Sequence, residues 1–209
     1  MKKAPKDFRA PYITQQKAWQ EADSIRENFW GSDIVPVEVE EILWNFGIRI
    51  EPIPSLKQAG DIDALLSGDL KTIVVDAEEY MDDRKLNRIR FSIAHELGHF
   101  ILHKEVYSEI SFESVEEWIY FIQNVPEVEW SFVELHAYEF AGRLLVPPKL
   151  LKEELFGAVK QADRIGFMDW EKSGDAAREY ISNKLARKFG VSSEVIEKRI
   201  IREGFWPPT

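Results

Sequence analysis

The sequence predicts an α+β fold in which a small antiparallel sheet packs on a helical body and a helix-turn-helix-like subdomain follows near the C-terminus. Short runs rich in Ile, Leu and Val, punctuated by Pro and Gly, lie between residues 48 and 75. Several longer segments instead repeat apolar residues at helical spacing. The 209 residues are 44% hydrophobic and 12% aromatic, which suffices to bury a core without covalent staples. These observations favour helices arranged around one small sheet.

The first 32 residues are expected to form an N-terminal extension with one docked helix. Thr14 is suited to cap this helix, because Ser and Thr side chains accept hydrogen bonds from backbone N–H groups of the first turn. The apolar residues that recur at helical spacing after it are Ala18, Trp19, Ala22, Ile25 and Phe29. We expect this extension, residues 1–32, to serve packing only.

The main domain, residues 33–156, is expected to begin with a helix and three strands. Pro36 suits a first helical turn and Gly47 suits the end of a helix, which predicts a helix over residues 36–46. Strand-like runs cover residues 48–53, 62–66 and 72–75. Their short spacings favour an antiparallel meander over crossovers through helices. A helix over residues 84–103 is expected to follow.

Residues 95–99 read HELGH within the helical run RIRFSIAHELGHFILH. Four residues are slightly more than one helical turn, so His95 and His99 lie on one face, about 40° apart, and can bind one metal ion. Glu96 lies beside them, where it can act as the general base on a water at that metal. The histidines of the chain, at 95, 99, 103 and 136, all fall in this region, which favours a metal site of the zinc hydrolase type over packing alone.

A third ligand is also needed, because a catalytic zinc site usually has three protein ligands and one open position. The segment ELHAYEFAGRLLVPP predicts a helix from about residue 132 to 146, ended by Pro147 and Pro148. Glu134 and His136 lie near its start and point about 200° away from each other on a helix. Either side chain can supply the ligand, but both together cannot easily do so.

Residues 105–126 precede that helix and contain the run SVEEWIYFIQNVP, which predicts another helix. Its aromatic residues Trp118, Tyr120 and Phe121 spread over more than one face. Buried packing is the favoured interpretation of these rings, and a substrate-facing aromatic surface is the alternative.

Composition excludes several classes of function. The chain has no cysteine, so disulfides are impossible and any zinc ligands must be His or carboxylate side chains. A formal net charge of −10 argues against whole-surface attraction to nucleic acid or anionic lipid. No apolar run reaches the roughly 18–20 residues that span a bilayer, and the N-terminal residues lack the apolar region of a secretory signal. We therefore expect a cytoplasmic protein.

The C-terminal residues 157–209 are expected to form a helical, helix-turn-helix-like subdomain. Residues 158–177 predict a loop or weak helix, and residues 176–189 and 192–201 predict two helices joined by the short turn FGVSS. Ser192 and Ser193 are both suited to cap the second helix. Residues 184–203 contain six basic and three acidic side chains, which would permit contact with DNA. A structural or substrate-docking role is the favoured interpretation.

Three segments resemble the ImmA/IrrE family of metallopeptidases. The strand TIVVD with the run RIRFSIAHELGHFILH is similar to the strand-and-helix block that carries the H-E-x-G-H motif of the family. The run ELHAYEFAGRLLVPP is similar to the E-x-x-A-x-x-F-A-x-x-L-L-x-P helix of the family, and LARKFGVSSEVIEKRI is similar to its closing helical segment. The matching blocks cover most of residues 33–203, although the two central blocks carry nearly all the specificity.

The resemblance implies a zincin-like fold and a zinc-dependent endopeptidase centred on residues 33–156. It implies that His95, His99 and Glu134 bind Zn²⁺ and that Glu96 is the catalytic base. His103 would then hold or support the ligands without binding the metal. The implied substrate is a protein, specifically a helix-turn-helix transcriptional repressor.

Two features depart from the family pattern. The gap from His99 to Glu134 is long, so the aromatic segment between them looks inserted. His136 stands where many members carry a carboxylate or an amide, which leaves it as a rival third ligand. A different class of function is also open: a non-catalytic regulatory or DNA-binding module with a structural metal site. Such a site needs no Glu96 and would be closed by four protein ligands, for which His103 or His136 is available.

Overall fold

The computed structural model describes residues 5–31, 33–110, 112–164 and 174–206. As the sequence predicts, the fold is α+β: helices surround one three-stranded sheet. The strands are β1 (Arg49–Ile53), β2 (Ala64–Leu66) and β3 (Thr72–Asp76). The helices are α1 (Gln15–Phe29), α2 (Val39–Asn45), α3 (Leu56–Gly60), α4 (Ala77–Met81), α5 (Leu86–Leu102), α6 (Lys104–Ile110), α7 (Val115–Asn124), α8 (Glu127–Leu145), α9 (Pro148–Arg164), α10 (Gly174–Phe189) and α11 (Ser193–Arg202).

The sheet is mixed, and the expectation of an antiparallel meander is wrong for one of its two pairings. The strand order is β1-β3-β2; β3 pairs in parallel with β1 and antiparallel with β2. The cause is α3, a single short helix that carries the chain from β1 past the position that β3 later fills. Helix α3 follows Pro54 and ends at Gly60. In the sequence, so short a segment between Pro and Gly looks like a turn between neighbouring strands. The order leaves β2 at an edge of the sheet.

Helices α5 and α8 form the centre of the helical body and pack closely at Gly98. A Cβ atom at Gly98 would lie 3.1 Å from both the carbonyl oxygen of Ala137 and the ring of Phe140. The absence of a side chain therefore permits this approach, which brings the HELGH face of α5 beside α8. Leu97, Phe140 and Leu144 are fully buried next to this contact.

Helix α1 packs against α8 and matches the helix expected in the N-terminal extension. Thr14 caps it, since its side chain accepts a hydrogen bond from the Lys17 N–H. Ala18 and Ala22 are fully buried, and the Trp19 indole donates to a Glu139 carboxylate oxygen at 2.8 Å. The extension is thus fixed to the helical body by apolar packing and by a buried acidic residue.

Two boundaries differ from the sequence predictions. Helix α8 begins at Glu127, several residues before the expected start, because Pro126 stands at its N-cap position with extended backbone angles. Pro147 and Pro148 do end α8, but Pro148 also begins α9, which suits a residue whose missing N–H would have no helical partner.

Helix α9 runs across residue 157, where the C-terminal subdomain was expected to begin, and residues 165–173 of the expected loop lie outside the described residues. The division into domains stays a prediction.

Hydrophobic core residues extend from the sheet through α5 and α8 to the C-terminal helices. Ile73 and Val75 of β3, Ile93 of α5 and Phe189 of α10 belong to this one cluster. Within the described ranges, no helix is both long enough and apolar enough to cross a membrane.

Asp76 fixes the loop between the sheet and α5, so its replacement should destabilise the fold. Its carboxylate accepts hydrogen bonds from the backbone N–H groups of Lys57, Glu78 and Glu79 at 2.8–3.0 Å. Burial alone would raise the pKa of Asp76, but these donors outweigh burial and lower the pKa. We expect Asp76→Ala to lower the free energy of unfolding by about 1–2 kcal/mol, the usual cost of losing a helix cap.

Urea denaturation at two pH values tests this prediction. The contribution of Asp76 should be present above about pH 4, the unfolded pKa, and should disappear as the pH falls through the lower pKa of the folded state. Asp82→Ala is the matched control, since Asp82 caps the Arg84 N–H in an exposed turn and should matter less. Equal losses in the two variants would contradict the assigned role of Asp76.

Candidate active site

Two helices bring three metal-competent side chains together. Helix α5 supplies His95 and His99, and α8 supplies Glu134. The His95 Nε2 atom lies 3.0 Å from Glu134 Oε2 and 3.0 Å from His99 Nε2, and His99 Nε2 lies 3.5 Å from Glu134 Oε1. The ligand atoms all lie within 4.8 Å of one another, so they could hold a metal ion.

The spacing of these atoms fits a tetrahedral zinc ion. Zinc bonds of about 2.0–2.2 Å to nitrogen and oxygen place neighbouring ligand atoms about 3.3–3.6 Å apart in a tetrahedron. The separations of 3.0–3.5 Å are within a few tenths of an ångström of this. In the part of the chain that the structure describes, no fourth His, Cys, Asp or Glu joins the group. A tetrahedral ion held by these three side chains would therefore have one position left for water, as catalytic zinc sites do.

The negative charge of Glu134 favours a role for its carboxylate as a metal ligand. The half-exposed carboxylate contacts the rings of His95 and His99. Burial would raise the pKa of Glu134, but hydrogen bonds from the two imidazoles outweigh burial and hold the pKa well below its usual value. Burial would likewise lower the pKa of His95, and the Glu134 carboxylate outweighs it and raises that pKa. Glu134 is thus ionised, which is the form that binds a metal.

Glu96 lies on α5 with the two histidines, but its carboxylate is held by a different partner. Its carboxylate oxygen accepts a hydrogen bond from the Leu66 backbone N–H of β2 at 2.7 Å, and the residue is only 7% exposed. Burial raises the pKa of Glu96, although the nearby histidines oppose the increase. A carboxyl group with a raised pKa, held beside a metal-competent group, is suited to accept and return a proton.

The four side chains border a cleft with a volume of about 380 Å³. One wall consists of the loop before β2 and of β2 itself, including Ile62 and Leu65, and another consists of α7, including Trp118 and Ile122. Trp118 and Phe121 are buried, whereas Tyr120 is exposed. The aromatic segment therefore serves mainly as packing, as favoured from the sequence, while Trp118 also lines the cleft.

His103 and His136 lie next to the group without joining it. The His103 Nδ1 atom lies 3.1 Å from Nδ1 of His99, and His103 Nε2 lies 3.3 Å from Nδ1 of His136. Burial lowers the pKa of His103 to about 2, so the ring is neutral. The structure thus places Glu134, and not His136, beside His95 and His99. The assignment of each residue as a ligand or as the base stays a prediction.

Some residues of the site carry no signal in the sequence. The Leu66 N–H that holds Glu96 is a backbone group, and Ile62 borders the cleft only because β2 lies along α5. No local pattern predicts that approach. The clustering of histidines in the sequence suggests that His103 and His136 could lie close together. Whether they touch depends on how α5 crosses α8.

Basic residues of the C-terminal helices are largely paired with neighbours on the same body. Of the six basic side chains that suggested DNA contact, five have partners: Lys184 with Gln161, Lys188 with Glu154, Lys198 with Glu194, Arg199 with Glu203, and Arg202 with Glu139. The four pairs with glutamates reduce the positive charge that α10 and α11 present to solvent. Whether these two helices contact DNA stays a prediction.

Comparison with known proteins identifies the family. The family model described as the IrrE N-terminal-like domain, Peptidase_M78, matches residues 45–200. The match includes the sheet, the HELGH helix α5, helix α8 with Glu134 and both C-terminal helices, and it leaves α1 and the segment before it outside. The comparison with curated protein sequences finds no significant match. Motif, geometry and family model agree, and the chain therefore belongs to the IrrE N-terminal-like family of metallopeptidases.

Proposed function

We propose that the protein is a zinc-dependent endopeptidase. One observation carries this proposal: Glu96 lies beside a group of two imidazoles and one carboxylate at the floor of an open cleft. Membership of a metallopeptidase family supports it independently. The histidine and carboxylate donors suit zinc, and other divalent ions such as manganese can occupy similar ligands.

Each residue has a defined role in this proposal. His95, His99 and Glu134 would hold the ion, which when bound would lower the pKa of water and polarise a carbonyl group. Glu96 accepts a proton from the attacking water and delivers it to the leaving nitrogen of the scissile peptide bond. The Leu66 N–H fixes the Glu96 carboxylate through one oxygen and leaves the other free for this transfer.

The cleft is suited to an extended peptide. Strand β2 pairs with β3 on one side only, and its other side faces α5 and the cleft. Backbone groups on such an edge can pair with a peptide in extended conformation. The apolar wall formed by Ile62, Trp118 and Ile122 would then contact the substrate side chains.

We propose that the substrate is a helix-turn-helix transcriptional repressor in the cytoplasm. The support for this substrate is the resemblance to the ImmA/IrrE family, and no charge or shape feature of the cleft specifies it. The rival proposal, a non-catalytic regulatory module, predicts that such a repressor is bound and left intact.

Metal removal tests the proposed activity directly. We expect the zinc-loaded protein to cleave a repressor encoded beside it, as seen by gel electrophoresis and mass spectrometry of the fragments. Dialysis against a chelator should abolish cleavage, and one equivalent of zinc should restore it, because in this proposal the bound ion polarises the carbonyl and lowers the pKa of the water. Cleavage that persists after chelation would contradict the proposal. Binding of the repressor without cleavage would favour the regulatory module.

A further inference from the structure

Helix α7 lies along the edge strand β2, and the two segments approach each other at both ends of the strand. A Cβ atom at Gly68, in the turn after β2, would overlap the carbonyl oxygen of Phe112, which precedes α7. A Cβ atom at Gly60, before β2, would lie 3.4 Å from the Ile119 side chain of α7. These two approaches fix α7 beside β2 and make the space between them one groove.

A cavity with a volume of about 460 Å³ lies at the Gly68 end of this groove, and we call it the distal pocket. Leu65 of β2 borders both this pocket and the active-site cleft. The Phe112 ring of the pocket packs on the Trp118 ring of the cleft, with centroids 4.8 Å apart. The apolar residues that line the distal pocket are Leu65, Val74, Phe112 and Val115. The groove therefore joins the cleft to an apolar pocket.

The distal pocket begins a few residues along the chain from the support of the proposed base. The Leu66 N–H holds the Glu96 carboxylate, and the next residues of the chain, 67–69, line the pocket. At about 3.3 Å per residue in extended chain, this separation is about 3–10 Å. A substrate that reaches Glu96 therefore also reaches the pocket within a few residues.

Side-chain alternation determines which residues of an extended substrate face the distal pocket. Leu65 is the register partner of Val74, so both side chains lie on one face of the sheet, and Leu66 lies on the other. A peptide that pairs with β2 sends every second side chain to the Leu65 face. A side chain two or three residues from the scissile bond would thus enter the pocket.

The mouth of the distal pocket is acidic. Asp69 and Glu113 line it, and both are exposed. The Asp69 carboxylate accepts hydrogen bonds from the Ser67 hydroxyl and from the Lys71 N–H, which favour its charged form. Among the described residues that line the pocket, none is basic. An acidic side chain of a substrate would be repelled here, whereas an apolar side chain would bury its surface against the apolar lining.

We propose that the distal pocket selects a large apolar side chain of the substrate, such as Leu, Met or Phe, two or three residues from the scissile bond. Asp69 and Glu113 exclude acidic side chains from the same position. This inference rests on the proposed peptidase function. It gives a role to α7, which lies in the long segment between His99 and Glu134 that departs from the family pattern. This helix packs on the helical body and also forms a wall of a specificity pocket.

Cleavage of a randomised peptide library tests the selected position. Fragments produced by the zinc-loaded protein are sequenced by mass spectrometry. Leu, Met and Phe should be favoured over Ala by about 10–60-fold at one position two or three residues from the cut, the effect of burying about three further carbon atoms. Asp and Glu should be depleted at that position. Equal use of Ala and Leu at these distances on both sides of the cut would overturn the proposal.

Val115→Trp is the matched variant, because Val115 begins α7 and lines the distal pocket outside the metal-competent group. The larger ring should fill the pocket and reduce the preference for Leu over Ala to about 1–3-fold. Val115→Ala should enlarge the pocket and shift the preference from Leu toward Phe. Val128→Trp is the control, since Val128 lies in the first turn of α8 and is 68% exposed; it should keep the preference of the parent. Thermal unfolding checks that the variants are folded, and an unchanged preference in both Val115 variants would overturn the proposal.

Peptide retention separates failure of this inference from failure of the proposed function. Immobilised, zinc-loaded Glu96→Gln should retain library peptides that carry large apolar side chains, and the added change Val115→Trp should remove this preference. Selective retention together with no cleavage by the parent would contradict the proposed function and support the pocket. Cleavage by the parent without the preference would overturn the pocket and support the function. A chain that neither cleaves nor retains any peptide of the library would overturn both.

Discussion

Glu96→Gln should lower the rate of peptide cleavage about 10²–10⁴-fold, the usual contribution of a positioned general base, while zinc binding and folding are kept. Glutamine has the shape of glutamate and can still accept the hydrogen bond from the Leu66 N–H, but it cannot take a proton from water. Because burial raises the pKa of Glu96, the folded state disfavours the charged form. The neutral variant should therefore unfold at no lower temperature than the parent.

Glu127→Gln is the control for this experiment. Glu127 begins the same helix that carries Glu134 and is exposed, so the change alters the charge without touching the cleft. Cleavage of the repressor, bound zinc by elemental analysis and the thermal midpoint should be measured on all three proteins. If Glu96→Gln cleaves as fast as the parent, Glu96 is not the general base.

Loss of any one of the three proposed ligands should lower the zinc content of the protein more than the loss of His136 or Glu127. We expect His95→Ala, His99→Ala and Glu134→Ala to retain well below one equivalent of zinc per chain after gel filtration, because two remaining ligands bind the ion far more weakly than three. His136→Ala should retain about one equivalent at micromolar protein, since that change only weakens a supporting partner. Glu127→Ala should match the parent.

This comparison separates the two candidate third ligands. The sequence leaves Glu134 and His136 open, and the resemblance to the family favours Glu134. The structure adds distances: Glu134 lies 3.0 Å from His95, whereas His136 contacts His103. Full zinc in Glu134→Ala together with loss in His136→Ala would assign the third ligand to His136 instead.

Local periodicity explains which parts of the fold could be predicted from the sequence. The i, i+4 spacing of His95 and His99 fixes their common face on any helix, and Thr14 begins α1 through a contact three residues away. Such interactions are contained within one helix. They therefore predict α1, α5, α10 and α11 to within a few residues.

Long-range packing explains what could not be predicted. The parallel pairing of β1 with β3 depends on where α3 carries the chain, and the support of Glu96 depends on β2 lying along α5. The same holds for the charge of the C-terminal helices. The positive local balance of residues 184–203 would permit contact with DNA, but Arg202 pairs with Glu139 of α8, an acidic residue whose proximity no local pattern reveals.

Anomalous diffraction at the zinc absorption edge, from crystals of the zinc-loaded protein, tests the central proposal most directly. We predict one strong peak, which locates a single zinc ion. His95 Nε2, His99 Nε2 and a Glu134 carboxylate oxygen should lie about 2.0–2.2 Å from this ion, with a water as the fourth ligand beside Glu96. This coordination is that of a catalytic centre. A zinc ion closed by four protein ligands, including His103 or His136, would contradict the proposal and would indicate a structural metal site.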